Sequence, residues 1–323
     1  MLVSVGVGTR FANAESTSAE IAMELTTGTV LEEYNADAQL PMASTTKIMT
    51  AIIIIEDCDL DEVITVPNEA VGAEGSSIYL KRDEQIDIRD LLYGLMLRSG
   101  NDCAAALAIH HSGSLEKFAD IMNERAKEMG ANSTNFKNPS GLPDSEHYTT
   151  AKDLCIITCN AMQNETFRQI VSTKNYTGKF RSYSNKNKML YNYEGANGVK
   201  TGYTVKAGRC LVSSAERDGM TVVCVVLNCP DMYNRSAKIL DDCFSGYRLV
   251  RISENTAFMS DRVLCKISKS VNFVVQSDEN IEFVVKPIDG LKKVKCGDIV
   301  GKLEILGQNG LILSENLYSI IDR

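Results

Sequence analysis

Ser44 and Lys47 are the two residues in this sequence whose types and spacing best suit covalent chemistry. Side chains three positions apart share one face of a helix, so a helical segment would bring the lysine amine to the serine hydroxyl. An alcohol is a weak nucleophile at neutral pH, and a lysine whose charged form is desolvated can serve as its base. The positive end of a helix also favours an alkoxide over an ammonium. The pair predicts nucleophilic catalysis by serine.

The residues after Ser44 form a strongly apolar segment, 47–55, with neither glycine nor proline. This pattern predicts a buried helix that begins near the serine. A serine three residues before a lysine is also typical of a helix cap beside a solvated charge. A lysine inside an apolar segment is unusual in that structural role, and its position favours the catalytic interpretation.

Ser99 and Asn101 lie in a Ser-Gly-Asn turn between two apolar helical patterns, at 87–98 and 102–111. Helix capping is the structural explanation for such a turn. In the functional interpretation, Ser99 relays a proton between the base and a leaving amine. Asn101 donates a hydrogen bond to an amide carbonyl of the substrate.

Lys200, Thr201 and Gly202 precede a run of β-type residues at about 209–227. A lysine and a hydroxyl at the start of a strand suit a bound carboxylate. The glycine would let the substrate approach the backbone closely. The segment therefore predicts a subsite for a substrate with a free carboxylate.

Taken in order, the three segments match the motif set of penicillin-binding proteins and β-lactamases. The sequence resembles the low-molecular-mass D-alanyl-D-alanine carboxypeptidases, the serine-type penicillin-binding proteins that trim cell-wall stem peptides. The resemblance spans roughly residues 19–250 and includes the segments 41–51, 138–142 and 198–208. It implies an enzyme that removes the terminal D-alanine from peptidoglycan stem peptides and is inhibited covalently by β-lactam antibiotics. It implies no cofactor and no metal.

The resemblance also implies a role for each site residue. Ser44 attacks the carbonyl of the penultimate D-alanine, and the oxyanion lies between the backbone N–H groups of Ser44 and Tyr203. Lys200 stabilises charge and the proton path, and Thr201 binds the substrate carboxylate. Arg235, at the start of the last predicted helix, grips the terminal carboxylate, whereas its structural interpretation is an exposed helix arginine.

Two other functions remain open at this point. A β-lactamase would need an added glutamate for deacylation, and residues 138–152 offer Asp144 and Glu146 without the expected arrangement. A non-hydrolytic β-lactam sensor or wall-binding protein would bind without turnover, although no catalytic position is missing. The three histidines suggest no triad and receive no role.

The composition predicts two domains in a chain of 323 residues with a formal net charge of −8. We expect an α+β domain of the β-lactamase/transpeptidase type at 15–252, with an antiparallel sheet flanked by helices, and a small all-β domain at 253–323. The acidic balance and the lack of a basic patch argue against nucleic acid as a partner. The ten cysteines are expected to be reduced, because several lie in apolar patterns.

The N-terminal residues 1–14 are interpreted as the remnant of a signal peptide, because an apolar stretch precedes Ala12-Asn13-Ala14, and a strand-like N-terminus is the alternative. This predicts an exported protein on the cell-wall side of the membrane. Residues 315–323 contain two acidic residues and one basic residue and do not make a basic amphipathic helix. Membrane attachment is therefore not expected.

Overall fold

The computed structural model describes residues 18–291 and 293–323, so the predicted signal-peptide remnant lies outside the described residues. The helices are α1 Lys47–Asp57, α2 Ile88–Tyr93, α3 Asn101–Ser112, α4 Leu115–Glu128, α5 Ala151–Ala161, α6 Glu165–Ser172, α7 Met189–Asn192 and α8 Met232–Gly246. The strands are β1 Ala19–Glu24, β2 Val30–Tyr34, β3 Val63–Thr65, β4 Gln85–Asp87, β5 Asn175–Thr177, β6 Ser182–Ser184, β7 Ala196–Thr204, β8 Gly208–Arg217, β9 Met220–Leu227, β10 Tyr247–Ile252, β11 Phe258–Ser260, β12 Val263–Lys266, β13 Val271–Gln276, β14 Glu282–Pro287, β15 Ile299–Gly307 and β16 Gly310–Ser319.

The central sheet is antiparallel and has the strand order β2-β1-β9-β8-β7. Its strands come from both ends of the first 230 residues. The first strand, β1, pairs directly with β9, and Ile21 lies opposite Val225. Both side chains are fully buried, since this sheet is covered on its two faces. The antiparallel sheet flanked by helices, predicted from the sequence, is confirmed. Strand β7 lies at the edge of the sheet and is free to border a site.

Helix α1 is the centre of the larger apolar core. Its residues from Lys47 to Ile54 are all buried. Each isoleucine buried there contributes about 1.5–3 kcal/mol through removal of apolar surface from water. The helix therefore holds Lys47, its first residue, in a dry interior.

No helix within the described part of the chain is long and apolar enough to cross a membrane.

The predicted helix at 232–249 is shorter than expected. Helix α8 ends at Gly246, and the next residues form β10, which pairs with β13. Tyr247, Arg248 and Leu249 thus belong to a strand ladder rather than to the predicted helix. This pairing joins residues 247–252 by hydrogen bonds to a strand of the C-terminal region, and the boundary after residue 252 stays a prediction.

The C-terminal region forms a second sheet with the strand order β11-β12-β16-β15-β14. It has its own small core, which includes Val263, Leu303 and Leu317. This agrees with the all-β character predicted from its alternating pattern. None of the described residues of this region borders the site around Ser44 described below.

Candidate active site

Ser44 lies in a single turn of 3-10 helix that runs directly into α1. Ala43, the preceding residue, has a φ of 49°, a conformation that costs a residue with a side chain about 1 kcal/mol or more. Two hydroxyls hold the turn: Thr45 Oγ1 donates to the carbonyl of Met42 at 2.6 Å, and Thr46 Oγ1 donates to the carbonyl of Ala43 at 2.8 Å. The serine is therefore presented on a strained and firmly bonded turn.

Lys47 is fully buried, and its amine contacts three oxygen atoms. Nζ lies 3.1 Å from Ser44 Oγ, 2.6 Å from Asn101 Oδ1 and 2.6 Å from the carbonyl oxygen of Ser140. Burial lowers the pKa of Lys47 well below its usual range, and the charge of Lys200 lowers it further. The environment thus favours a neutral amine within reach of the Ser44 proton.

The segment 138–142 supports both Ser44 and Lys47 from one side. Asn138 Oδ1 accepts hydrogen bonds from the backbone N–H groups of Ser140, Gly141 and Leu142. Gly141 has a φ of +86°, and a Cβ there would lie 1.9 Å from the carbonyl oxygen of Ala43. Only glycine lets this backbone approach the serine turn. The contacts of this segment with Lys47 and the serine turn use main-chain atoms, while the Asn138 side chain and Gly141 are the residues that shape it.

Asn101 orients the base and fastens a neighbouring loop. Its Oδ1 accepts from Lys47, and its Nδ2 donates to the carbonyl of Glu74 at 2.6 Å. The adjacent Asp102 is fully buried and accepts from Ser77 Oγ at 2.6 Å and from two further N–H groups of the same loop. One Nδ2 proton of Asn101 remains for the substrate carbonyl that the sequence assigns to it.

Ser99 enters the same space from the end of a π-helical segment, Gly94–Arg98. Its φ is 65°, so Ser99, like Ala43, is a non-glycine residue in the left-handed region. The side chain lines a cavity together with Ser44 and Thr201. The structure therefore brings this residue of the second motif to the nucleophile of the first and to the strand of the third.

Strand β7 brings in the third motif. Lys200 is buried, its Nζ donates to the carbonyl of Thr201 at 2.9 Å, and burial followed by the charge of Lys186 lowers its pKa to about 7. A Cβ on Gly202 would lie 3.1 Å from the backbone nitrogen of Ser44. From the sequence, Gly202 was expected to let the substrate approach the backbone closely. In the structure it allows close approach of the serine turn.

Two cavities meet at Ser44, and Ser44, Ser76 and Tyr203 line both of them. The cationic cavity, of about 460 Å³, is also lined by Ser99, Lys186, Thr201, Gly202, Arg209, Met232 and Tyr233. The apolar cavity, of about 480 Å³, is also lined by Glu74, Gly75, Asn101, Ser140, Gly141, Leu142, Pro143, Thr204, Val205 and Lys206. No described residue that lines the cationic cavity is acidic, so this cavity suits an anion.

In the described part of the structure, Arg235 lines neither cavity. Its guanidinium forms ion pairs with two carboxylates. Nη2 lies 2.6 Å from Glu20 Oε2 and 3.2 Å from Glu32 Oε1. Glu20 is buried on β1 and needs a cation, which explains why the side chain turns toward the sheet. The structure therefore does not place Arg235 where the sequence interpretation expected a carboxylate grip.

Arg209 is the described arginine that lines the cationic cavity. It lies on β8 directly opposite Tyr203 of β7, and cross-strand partners project from the same face of a sheet. The short connection between Thr204 and Gly208 sets this pairing. The hairpin pattern was thus a signal in the sequence that could have identified Arg209.

His147, which the sequence interpretation left without a role, is buried beside the serine turn. The backbone N–H of Lys137 donates to its Nδ1 at 3.0 Å, so Nε2 carries the proton and donates to Thr46 Oγ1 at 2.8 Å. Burial lowers the pKa of His147 to about 4. The ring is therefore neutral and supports the turn, and it does not contact Ser44.

The sequence of this chain matches one family model over most of its length. The model of the D-alanyl-D-alanine carboxypeptidases, peptidase family S11, covers residues 8–231. The chain belongs to this family. The match confirms the family and the serine peptidase class predicted from the motifs, and it favours neither the β-lactamase nor the sensor.

Individual relatives support the same assignment. The D-alanyl-D-alanine carboxypeptidase DacF of Bacillus subtilis is 32% identical over 295 residues, which cover 87% of this chain and 76% of the relative. DacC of Escherichia coli is 30% identical over 333 residues, with 92% and 83% covered. The crystal structure of the carboxypeptidase DacD from Francisella tularensis matches with a TM-score of 0.75 and 27% identity, and covers 94% of this chain and 92% of that one.

Proposed function

We propose that this chain hydrolyses the terminal D-Ala-D-Ala bond of peptidoglycan stem peptides through an acyl-enzyme on Ser44. One observation carries the proposal: the amine of Lys47, buried and with a lowered pKa, lies 3.1 Å from the Ser44 hydroxyl at the junction of the two cavities. A nucleophile, its base and a cationic pocket for a free carboxylate are thus adjacent.

In acylation, Lys47 takes the Ser44 proton as Oγ bonds to the carbonyl carbon of the penultimate D-alanine. The carbonyl becomes an oxyanion between the N–H groups of Ser44 and Tyr203, where a lost donor commonly costs about a hundredfold in rate. The edge position of β7 and the close approach of Gly202 to Ser44 support this assignment. As the C–N bond breaks, the proton passes through Ser99 to the departing amine of D-alanine.

The terminal carboxylate binds in the cationic cavity. Arg209 offers a planar fork of donors, Thr201 offers a hydroxyl, and Lys186 adds a second positive charge at the rim. Arg209 makes no ion pair within residues 18–291 and 293–323, so its donors face the cavity unneutralised. Lys200, which is buried next to Thr201 in the strand, adds to the attraction when it is charged.

In deacylation, water attacks the acyl carbon while Lys47 accepts its proton, and Ser44 recovers the proton as the shortened peptide leaves. The same serine would bind β-lactam antibiotics covalently, because their ring amide presents a carbonyl beside a carboxylate. We place the enzyme outside the cytoplasm, where peptidoglycan lies.

Release of free D-alanine from a peptide ending in D-Ala-D-Ala tests this function, together with mass mapping of a penicillin label. We expect D-alanine release by the wild-type chain, none by Ser44→Ala, and a label on Ser44. Rapid clearance of penicillin without D-alanine release would instead show a β-lactamase, and a stable label with no turnover would show a sensor.

Arg209→Met tests the carboxylate subsite against Arg235→Met. Loss of a charged hydrogen bond is expected to raise KM about tenfold or more in Arg209→Met, while a substrate with an amidated C-terminus shows a much smaller difference. Arg235→Met is expected to leave KM close to the wild-type value.

A further inference from the structure

The apolar cavity carries two charges of opposite sign, on Glu74 and Lys206. Glu74 makes no ion pair in the described part of the chain. Lys206 Nζ is 3.4 Å from the carbonyl oxygen of Asp144, a weak contact that leaves its charge unneutralised. The cavity therefore offers one anion and one cation to a bound molecule.

The backbone of both charged residues is fixed by elements of the active site. The carbonyl of Glu74 accepts the Nδ2 hydrogen bond of Asn101, the residue that also holds the base. Lys206 lies in the β7–β8 connection, which Thr204 Oγ1 closes by accepting from the N–H of Ala207 at 3.0 Å. The backbone positions from which both side chains extend are thus fixed relative to Ser44.

The direction of the substrate follows from the cationic cavity. If the terminal carboxylate lies at Thr201 and Arg209, the residues that precede the scissile bond must extend from Ser44 into the apolar cavity. Leu142 and Val205 provide apolar surface there, and Val205 is 92% exposed. Aliphatic carbons would cover this surface, and a polar group at their end would reach the charges.

We infer that the apolar cavity selects a stem peptide whose third residue from the C-terminus is a diamino acid that carries an ammonium and a carboxylate on its terminal carbon, as diaminopimelate does. Glu74 binds the ammonium and Lys206 binds the carboxylate. A lysine side chain, which ends in an ammonium alone, would engage only Glu74. This inference rests on the proposed function, because the same Ser44 site performs the cleavage.

The test compares three peptides of the form X-D-Ala-D-Ala, in which X is diaminopimelate, lysine or Nε-acetyl-lysine, by kcat/KM for D-alanine release. Solvent-exposed ion pairs contribute up to about 1 kcal/mol, so each contact is expected to change kcat/KM by about twofold to fivefold. The expected order is diaminopimelate above lysine, and lysine above acetyl-lysine.

Two variants assign the contacts. Glu74→Gln keeps the backbone carbonyl that Asn101 needs and is expected to abolish the preference for lysine over acetyl-lysine. Lys206→Met is expected to abolish the preference for diaminopimelate over lysine while that for lysine over acetyl-lysine persists. Glu69→Gln and Lys302→Met remove the same charges from exposed positions outside both cavities and should leave both ratios unchanged.

The outcomes separate the two proposals. Equal kcat/KM for the three peptides, with D-alanine released from each, would overturn the selectivity and leave the carboxypeptidase function intact. Loss of the ratios in the Glu69 or Lys302 variants to the same degree would also overturn it, because general charge would then account for the preference. No D-alanine from any peptide would overturn the function on which the inference rests.

Discussion

Gly202 lies against the backbone of Ser44, so that a Cβ on Gly202 would lie 3.1 Å from the Ser44 nitrogen and 3.2 Å from the Met42 carbonyl oxygen. This contact joins the edge strand of the sheet to the turn that carries the nucleophile. The two N–H groups proposed for the oxyanion, those of Ser44 and Tyr203, belong to the two sides of this contact. Their separation therefore depends on the absence of a side chain at Gly202.

Gly202→Ala is expected to reduce kcat/KM for D-alanine release by about tenfold or more, because even small displacements of reacting groups are costly. The neighbours that would have to move are two backbone atoms and the Cβ of Ala43, all in or next to the serine turn, so the strain falls on that turn. The rate of penicillin acylation should fall in parallel. Gly246→Ala is the matched control, since a Cβ at Gly246 meets nothing within 4 Å, and wild-type activity is expected. Full activity in Gly202→Ala would contradict the proposed oxyanion geometry.

Gly141→Ala is expected to destabilise the fold by about 3 kcal/mol or more, because its Cβ would overlap a carbonyl oxygen and its φ of +86° disfavours a side chain. Gly113→Ala isolates the second effect. Gly113 has a φ of +79° with nothing within 4 Å, and its substitution should cost only about 1 kcal/mol. Urea unfolding measures both. Equal losses would show that the approach of Gly141 to Ala43 is not tight.

The pH profile of kcat/KM is expected to be bell-shaped. Activity rises as the Lys47 amine loses its proton, at a pH well below the usual lysine pKa, and falls as Lys200 loses its charge near pH 7. The charge of Lys186 lowers the pKa of Lys200, so Lys186→Met should move the alkaline limb to higher pH. Arg209→Met should reduce activity and leave that limb in place. If the alkaline limb stays at the same pH in Lys186→Met, the titration of Lys200 does not cause it.

The sequence predicted the parts of the site that depend on local spacing. Ser44 and Lys47 meet because positions three apart share a helical face, and this holds for the observed turn and helix. Which arginine lines the cavity depends instead on the register of two strands and on the partner that Glu20 requires, and so Arg235 was named from the sequence and Arg209 was missed as a candidate. The Ser140 contact uses a carbonyl, which every residue has, and no side-chain pattern could predict it.

Arg235→Met is expected to lower the free energy of unfolding by about 1–3 kcal/mol, because it leaves the carboxylate of Glu20 buried without its cation. The double variant Glu20→Gln with Arg235→Met should recover part of this loss, since it removes the unpaired charge. Chemical denaturation measures stability, and KM for the peptide measures the site. A large rise in KM at unchanged stability would return Arg235 to the carboxylate role.

His147 is expected to make stability fall as the pH decreases from about 6.5 to about 4. Its pKa is lowered from 6.5 to about 4 in the folded chain, so over this range the unfolded state binds a proton that the folded state does not. The full effect corresponds to about 3 kcal/mol at pH values below 4. His147→Gln retains a donor for Thr46 and an acceptor for Lys137 but does not titrate. Its deficit in unfolding free energy relative to wild type should therefore shrink between pH 7 and pH 4.5, and a constant deficit would show that the ring is not held neutral.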